Sequence, residues 1–175
     1  KKLRQDWESC GRPEILAACS SCMTALKKAM PEAVITSLWS SLDDLMPEPF
    51  KSAAPEGMCV QDPCGARHDS EWQRAVRSLA VKAGIRVEEP KRSGAESACC
   101  GYGGLVWNAQ PDVADAMAKK RAEEFSLPVL TSCIMCHDRF ASETESWHLF
   151  DILPQTAEQG HPEASSPGLS ARRAG

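Results

Sequence analysis

Met58-Cys-Val-Gln-Asp-Pro-Cys64, the patterned stretch 70–83, and Gly84-Ile-Arg-Val-Glu88 follow one another in the middle of the chain. The first begins as a short apolar run of strand length. Within 70–83, Trp72, Val76, Leu79, Ala80 and Ala83 recur at i, i+4, i+7, i+8 and i+11. That spacing is one face of an amphipathic helix, and Gly84 stands where a C-cap belongs. Ile85-Arg-Val-Glu88 then reads as a second strand. A strand, a helix and a strand in this order predict a βαβ unit and a parallel sheet.

The same alternation extends in both directions. Upstream, Ile15-Leu-Ala-Ala-Cys19 reads as a strand, with Ser20 and Ser21 suited to a helix N-cap. The following helix carries Met23, Leu26 and Met30 on one face and stops at Pro31, and Ala33-Val-Ile-Thr-Ser-Leu38 predicts another strand. Residues 42–51 read as a short helix and a loop. Downstream, a helix opens at Pro111, a favoured first-turn residue. Its expected core face carries Val113, Met117 and Phe125, with Ala114, Ala118 and Ala122 alongside. Leu127-Pro-Val-Leu-Thr131 then leads as a strand into Cys133-Ile-Met-Cys136 and a last helix. The expected fold class is α/β, a mainly parallel sheet with helices on both faces and cysteines at strand ends.

The composition is that of an ordinary globular protein, 42% hydrophobic and 25% charged over 175 residues. A net charge of −4 argues against a nucleic-acid partner held by a basic face. No apolar run approaches the ~20 residues of a membrane span, and no signal peptide opens the chain. A cytoplasmic location is therefore expected, where nine cysteines serve metal or redox chemistry rather than disulfides. From Pro154 onward Gln, Ser, Gly, Ala, Pro and Glu predominate, so 154–175 is expected to be a disordered tail.

The cysteines fall in three elements at the ends of expected strands: Cys64, the pair Cys99-Cys100, and Cys133 with Cys136. Intervals of 34 and 32 residues separate them. In a parallel sheet the carboxyl ends of strands share one edge, where ligands bind, so the five thiols can converge. Five exceed the four ligands of a structural zinc, whereas iron–sulfur clusters take several thiolates at irregular spacings. Gly101, Gly103 and Gly104 are expected to let backbone approach a bulky cofactor, with Tyr102 flanking it. Arg67 and His68 follow Cys64 and are placed to bring positive charge there. His137 reads as a solvent-facing residue at a helix start, His148 as a hydrogen-bonded interior histidine, Cys59 as core and Cys10 as a spare thiol.

There is also an internal echo. Strand, Cys19-x-x-Cys22, helix and strand repeat as strand, Cys133-x-x-Cys136, helix and strand, 114 residues later. A duplication whose first copy is truncated would account for it. Cys19 and Cys22 are thus a second tier of candidate ligands whose partners are expected upstream, in a longer polypeptide.

Asp62-Pro-Cys64, Cys99-Cys-Gly-Tyr-Gly-Gly104 and Cys133-x-x-Cys136 together resemble the cysteine-rich CCG domain. That domain occurs in one of the subunits of heterodisulfide reductase and in iron–sulfur subunits of glycolate and lactate oxidation. With Cys133-Ile-Met-Cys-His-Asp-Arg-Phe140 and His148-Leu-Phe-Asp-Ile-Leu153, the sequence is most similar to the C-terminal region of pyridine nucleotide-disulfide oxidoreductase/dicluster-binding proteins. The resemblance covers about 14–153. It divides the chain into a lead-in at 1–13, the tail of a first repeat at 14–50 and a complete CCG unit at 57–153. It implies a 4Fe-4S cluster, noncubane in the heterodisulfide reductases, on Cys64, Cys99, Cys100, Cys133 and Cys136. The implied function is an oxidoreductase module carrying electrons between a flavin- or ferredoxin-type partner and a small disulfide or organic substrate. A zinc-stabilised interaction module, and a metal-free thiol–disulfide exchange protein using Cys19 and Cys22, are the alternatives.

Overall fold

A computed structural model describes residues 2–46 and 49–154; of the expected tail, all but Pro154 lies outside the described residues. In chain order the elements are α1 (Lys2–Ser9), β1 (Ile15–Ala17), α2 (Ser20–Ala29), β2 (Ile35–Ser37), α3 (Leu38–Leu45), β3 (Gly57–Gln61), α4 (Ser70–Lys82), β4 (Arg86–Glu88), α5 (Val106–Ala109), α6 (Pro111–Ala122), β5 (Val129–Thr131), α7 (Ile134–Phe140) and β6 (Ser146–His148). Strands β1 and β2 form a parallel pair, and the others form a parallel sheet in the order β4-β3-β5-β6. The alternation of strands and helices thus yields the α/β fold its sequence pattern predicts.

Local chemistry sets the boundaries. The Asp69 carboxylate accepts from the Trp72 N–H at 2.9 Å and so caps the start of α4. At the other end Gly84 takes φ +79°, with Gly84 N–H bonded to Val81 and Ile85 N–H to Ala80, the Schellman pattern. Both sheet faces are covered. Met58, Val60 and Leu130 pack with α3 and α4 around Trp39, Trp72, Val76 and Leu79. The alternate residue Val129 packs with Cys100, Cys136 and Phe140, against Phe125. Trp39 and Trp72 are fully buried and meet edge to face at 6.4 Å.

Residues 2–9 of the lead-in form helix α1, anchored by buried Trp7, whose indole donates to the Pro13 carbonyl. Two expectations are corrected. Helix α3 starts at Leu38, directly off β2, rather than near Leu42. The core face of α6 is Ala114, Ala118 and Arg121, whereas Val113 is exposed and Phe125 lies past the helix end. Two alanines bring α6 close, and the long Arg121 side chain is buried with its Nε bonded to Gln61 and its Nη1 to Glu124.

Candidate metal centre

The sheet order places the cysteines. From β3 the chain runs outward to β4 and returns past β3 to β5, so the direction reverses between β3 and β5. The crevice at such a reversal, beyond the carboxyl ends, is where open α/β sheets bind ligands. Register aligns those ends: Gln61 pairs with Thr131, and Thr131 with His148. Cys64 follows β3 on a 3-10 turn (Cys64–Ala66), Cys99-Cys100 lies on the return from β4, and Cys133 caps α7 immediately beyond β5.

Buried polar groups fix these loops. Asp62 takes both terminal guanidinium nitrogens of Arg77 at 2.8 Å and also accepts from the Gly94 N–H. Gln61, fully buried, donates to the carbonyls of Asp62 and Ala98 and to the Ser97 hydroxyl. Gly101 adopts φ +83°, and a Cβ there would lie 2.5 Å from the Ala114 carbonyl. Its lack of a side chain therefore seats the vicinal-cysteine loop on α6. Nothing lies within 4 Å of a Cβ at Gly103 or Gly104.

The five thiols form a continuous row. Cys64 interacts with Cys99, Cys99 with Cys100, Cys100 with Cys136, and Cys136 with Cys133. Cys136 donates to Cys100 at 3.3 Å. Hydrogen bonds from Cys100 and Cys64, with the Gly101 N–H and the Arg67 charge, outweigh burial and hold Cys99 far below the usual thiol range. Cys133 is lowered to about 6, led by its bond with Cys136 and then by the Cys136 and Met135 N–H groups. The donors move the other way. Cys136 rises through Cys100 and Cys133, Cys64 through Cys99 and burial, and Cys100 to about 11, where Cys99 and burial outweigh the bond from Cys136. The row thus holds favoured thiolates beside proton-bearing partners, from which metal binding displaces protons. Among the described residues no three Cys, His, Asp or Glu side chains are grouped as ligands of a single metal ion.

The row opens on a cavity of about 590 Å³. Cys64, Cys100, Cys133 and Cys136 line one side, and Ile134, Met135, Tyr102, His148 and Phe150 give it an apolar wall. Tyr102 thus lines the same cavity as four of the thiols. The His148 ring lies 5.2 Å from Phe150, its Nδ1 accepts the Phe150 N–H, and burial lowers its pKa. His137 is half-buried rather than solvent-facing, bonded through Nδ1 to the Ser146 hydroxyl. A smaller cavity of about 220 Å³ beside Cys64 is lined by Arg67, His68 and Lys27. A further concavity of about 830 Å³ along α4 is lined by Arg74, Arg77, Val81 and Val87.

Cys19 lines the cavity of about 590 Å³ with four thiols of the row, and Cys19 and Cys22, both exposed, interact with each other. Cys19 caps α2, its sulfur accepting the Cys22 N–H at 3.4 Å. Gly65 docks this helix on the Cys64 turn, since a Cβ there would lie 2.6 Å from the Ser20 hydroxyl. Cys59 is buried in β3 against Ser126, and Cys10 is exposed. Sequence reasoning missed Gln61, Gly65, Arg121 and Arg139. Only Gln61 carries a signal, as a polar residue ending an apolar strand.

Residues 58–141 match the cysteine-rich domain family CCG. Among curated relatives, the chain is 25% identical over 158 residues to a fumarate reductase (CoM/CoB) subunit of Methanothermobacter marburgensis, covering 81% of this chain and 30% of the relative. It is 29% identical over 141 residues to a dihydromethanophenazine:CoB--CoM heterodisulfide reductase subunit of Methanosarcina barkeri, covering 72% and 34%. The chain thus spans about a third of the length of these relatives. All five thiols of the row fall inside residues 58–141, the segment that is similar to the cysteine-rich domain family CCG.

Proposed function

We propose that this domain is the iron–sulfur module of a heterodisulfide-reductase-like oxidoreductase, working in the cytoplasm. In this reading Cys64, Cys99, Cys100, Cys133 and Cys136 hold a 4Fe-4S cluster. What supports it is the row of five thiols at the reversal point of the sheet, four of which line an apolar cavity. The donor set fits: it is all sulfur, rich in thiolate character, and exceeds the four thiolates of an ordinary 4Fe-4S centre, which favours the noncubane form. The bound cluster supplies electron transfer. The protein positions the thiols, and the Tyr102–Phe150 wall keeps water from the face where a disulfide or organic substrate docks. Reducing a disulfide to two thiols consumes two electrons and two protons. The electrons come from a flavin- or ferredoxin-type partner, in keeping with relatives that are named as reductase subunits.

Anaerobic reconstitution followed by iron and acid-labile sulfide analysis tests the reading. The expected result is about four of each per chain, with charge-transfer absorbance at ~400 nm. Zinc bound without sulfide would overturn it in favour of a structural site. Reoxidation of the reduced protein by a disulfide, two electrons per bond, then separates an enzyme from a one-electron relay.

A further inference from the structure

Three carbonyl oxygens of the loop bearing the vicinal cysteines accept from side chains of other elements. The Ser97 carbonyl accepts from Arg67 Nη2 at 2.7 Å. The Ala98 carbonyl accepts from Gln61 Nε2 at 3.1 Å, and the same amide's oxygen accepts from Arg121 Nε at 2.7 Å. The Cys100 carbonyl is reached by Arg139 Nε at 3.5 Å. These arginines come from the turn after Cys64, from α6 and from α7, so three separate elements converge on one tetrapeptide.

Their charges are balanced unequally. Arg121 pairs with Glu124, and Arg139 lies over the Trp107 ring and pairs with Asp115, whose side chain is 53% exposed. Arg67 has no carboxylate partner among the described residues, and its Nε is buried without a hydrogen bond. Its guanidinium is also the positive group that bears on Cys99.

We propose that Arg67, Arg139 and the Gln61–Arg121 pair form a clamp that sets the Cys99-Cys100 loop before any cofactor arrives, and that Arg67 is the positioning residue whose unbalanced charge favours the reduced centre. The second half rests on the iron–sulfur reading above. Adding an electron adds one negative charge at the centre, and a fixed cation beside it stabilises that state, as hydrogen bonding and local charge tune clusters generally. Arginine suits the role because its charge is permanent and its fork spans a carbonyl while staying near the sulfur.

Two measurements on the full 175-residue chain test this. In the metal-free protein, hydrogen exchange at the Ser97 and Gly101 amides is expected to be slow, and about tenfold faster in Arg67→Gln and Arg139→Gln. In the reconstituted protein, Arg67→Gln is expected to keep its iron and sulfide while the ratio of reduced to oxidised centre at fixed potential falls about tenfold, ~59 mV for a one-electron couple. Arg67→Lys should return within about twofold of the parent. Should Arg67→Gln fail to fold, Arg139→Gln carries the test, with a smaller shift of the same sign because Asp115 already offsets its charge. Exchange as fast as an unstructured chain in the parent, or an unchanged potential in the neutral variants, overturns the clamp. If the parent binds no iron, the iron–sulfur reading falls and the exchange experiment alone decides the clamp.

Discussion

The Cys19-x-x-Cys22 and Cys133-x-x-Cys136 regions are nearly the same object locally and very different in place. In each, a three-residue strand is followed by one residue and a cysteine that caps a helix, with backbone angles of −113°, 121° at Cys19 and −126°, 116° at Cys133. Each strand pairs in parallel with the strand after its helix. Yet β5 lies inside a four-stranded sheet beside β3, whereas among the described residues β1 pairs with β2 alone. One cysteine pair joins a row of five thiols and the other remains exposed. A strand, a cap and a helix make a motif, but neighbouring strands make a site.

The largest expected effect breaks the symmetry outright. Cys133→Ser or Cys99→Ser should remove most of the iron and lower thermal stability, because binding energy contributes to folding in such sites. The Cys19→Ser, Cys22→Ser double variant should leave the iron of the five-thiol centre in place. Metal analysis and thermal denaturation read both, and equal losses in the two sets would erase the distinction.

Next in size is the seam between the regions. Asp43 on α3 is buried and meets Lys82 and Arg74 of α4, both at 2.9 Å. Burial alone would raise its pKa, but hydrogen bonds from Lys82, Ser78 and Arg74 hold the carboxyl below its ordinary value. A depressed carboxylate stabilises the fold above its unfolded pKa of about 3.9, and that stabilisation is lost as pH falls through the lower folded value. Asp43→Asn should cost about 2–3 kcal/mol at neutral pH, since it removes the buried carboxylate that accepts from Lys82, Ser78 and Arg74, and should flatten the acid limb of a stability–pH curve. Chemical denaturation at neutral and acid pH checks this.

Gly101→Ala comes third, at about 2 kcal/mol from its left-handed backbone and the contact with α6, with iron uptake slowed. Gly103→Ala, with open space around it, should change little. Gly65→Ala is the smallest, about 1 kcal/mol, because the Ser20 hydroxyl can swing aside. Its readout is alkylation of Cys64, which should quicken as α2 lifts from the turn, with Cys133 unaffected.

The sheet was readable because Met58-Cys-Val60 and Val129-Leu130 are continuous apolar runs, as strands buried on both faces must be. Cys64 and Cys133 lie just past β3 and β5, where the sequence pattern expects strand ends, whereas Cys99-Cys100 lies well beyond the end of β4, past a 3-10 turn. The face of α6 was not: alanines are small and Arg121 is charged, so hydrophobicity pointed to Val113. The clamp was equally hidden, since Arg121 meets Gln61 across 60 residues and Arg139 meets Cys100 across 39. Periodicity registers neighbours along a helix, not partners brought together by tertiary packing.

The buried indole pair has an optical consequence. Trp72 donates to the Ser132 hydroxyl at 2.9 Å, one residue before Cys133, and Trp39 lies edge-on behind it. Both emit from a dry environment within energy-transfer range of any chromophore seated on the thiol row. Their blue-shifted fluorescence should therefore dim as the centre fills and brighten as it empties, so the protein carries its own gauge of occupancy, legible without a label.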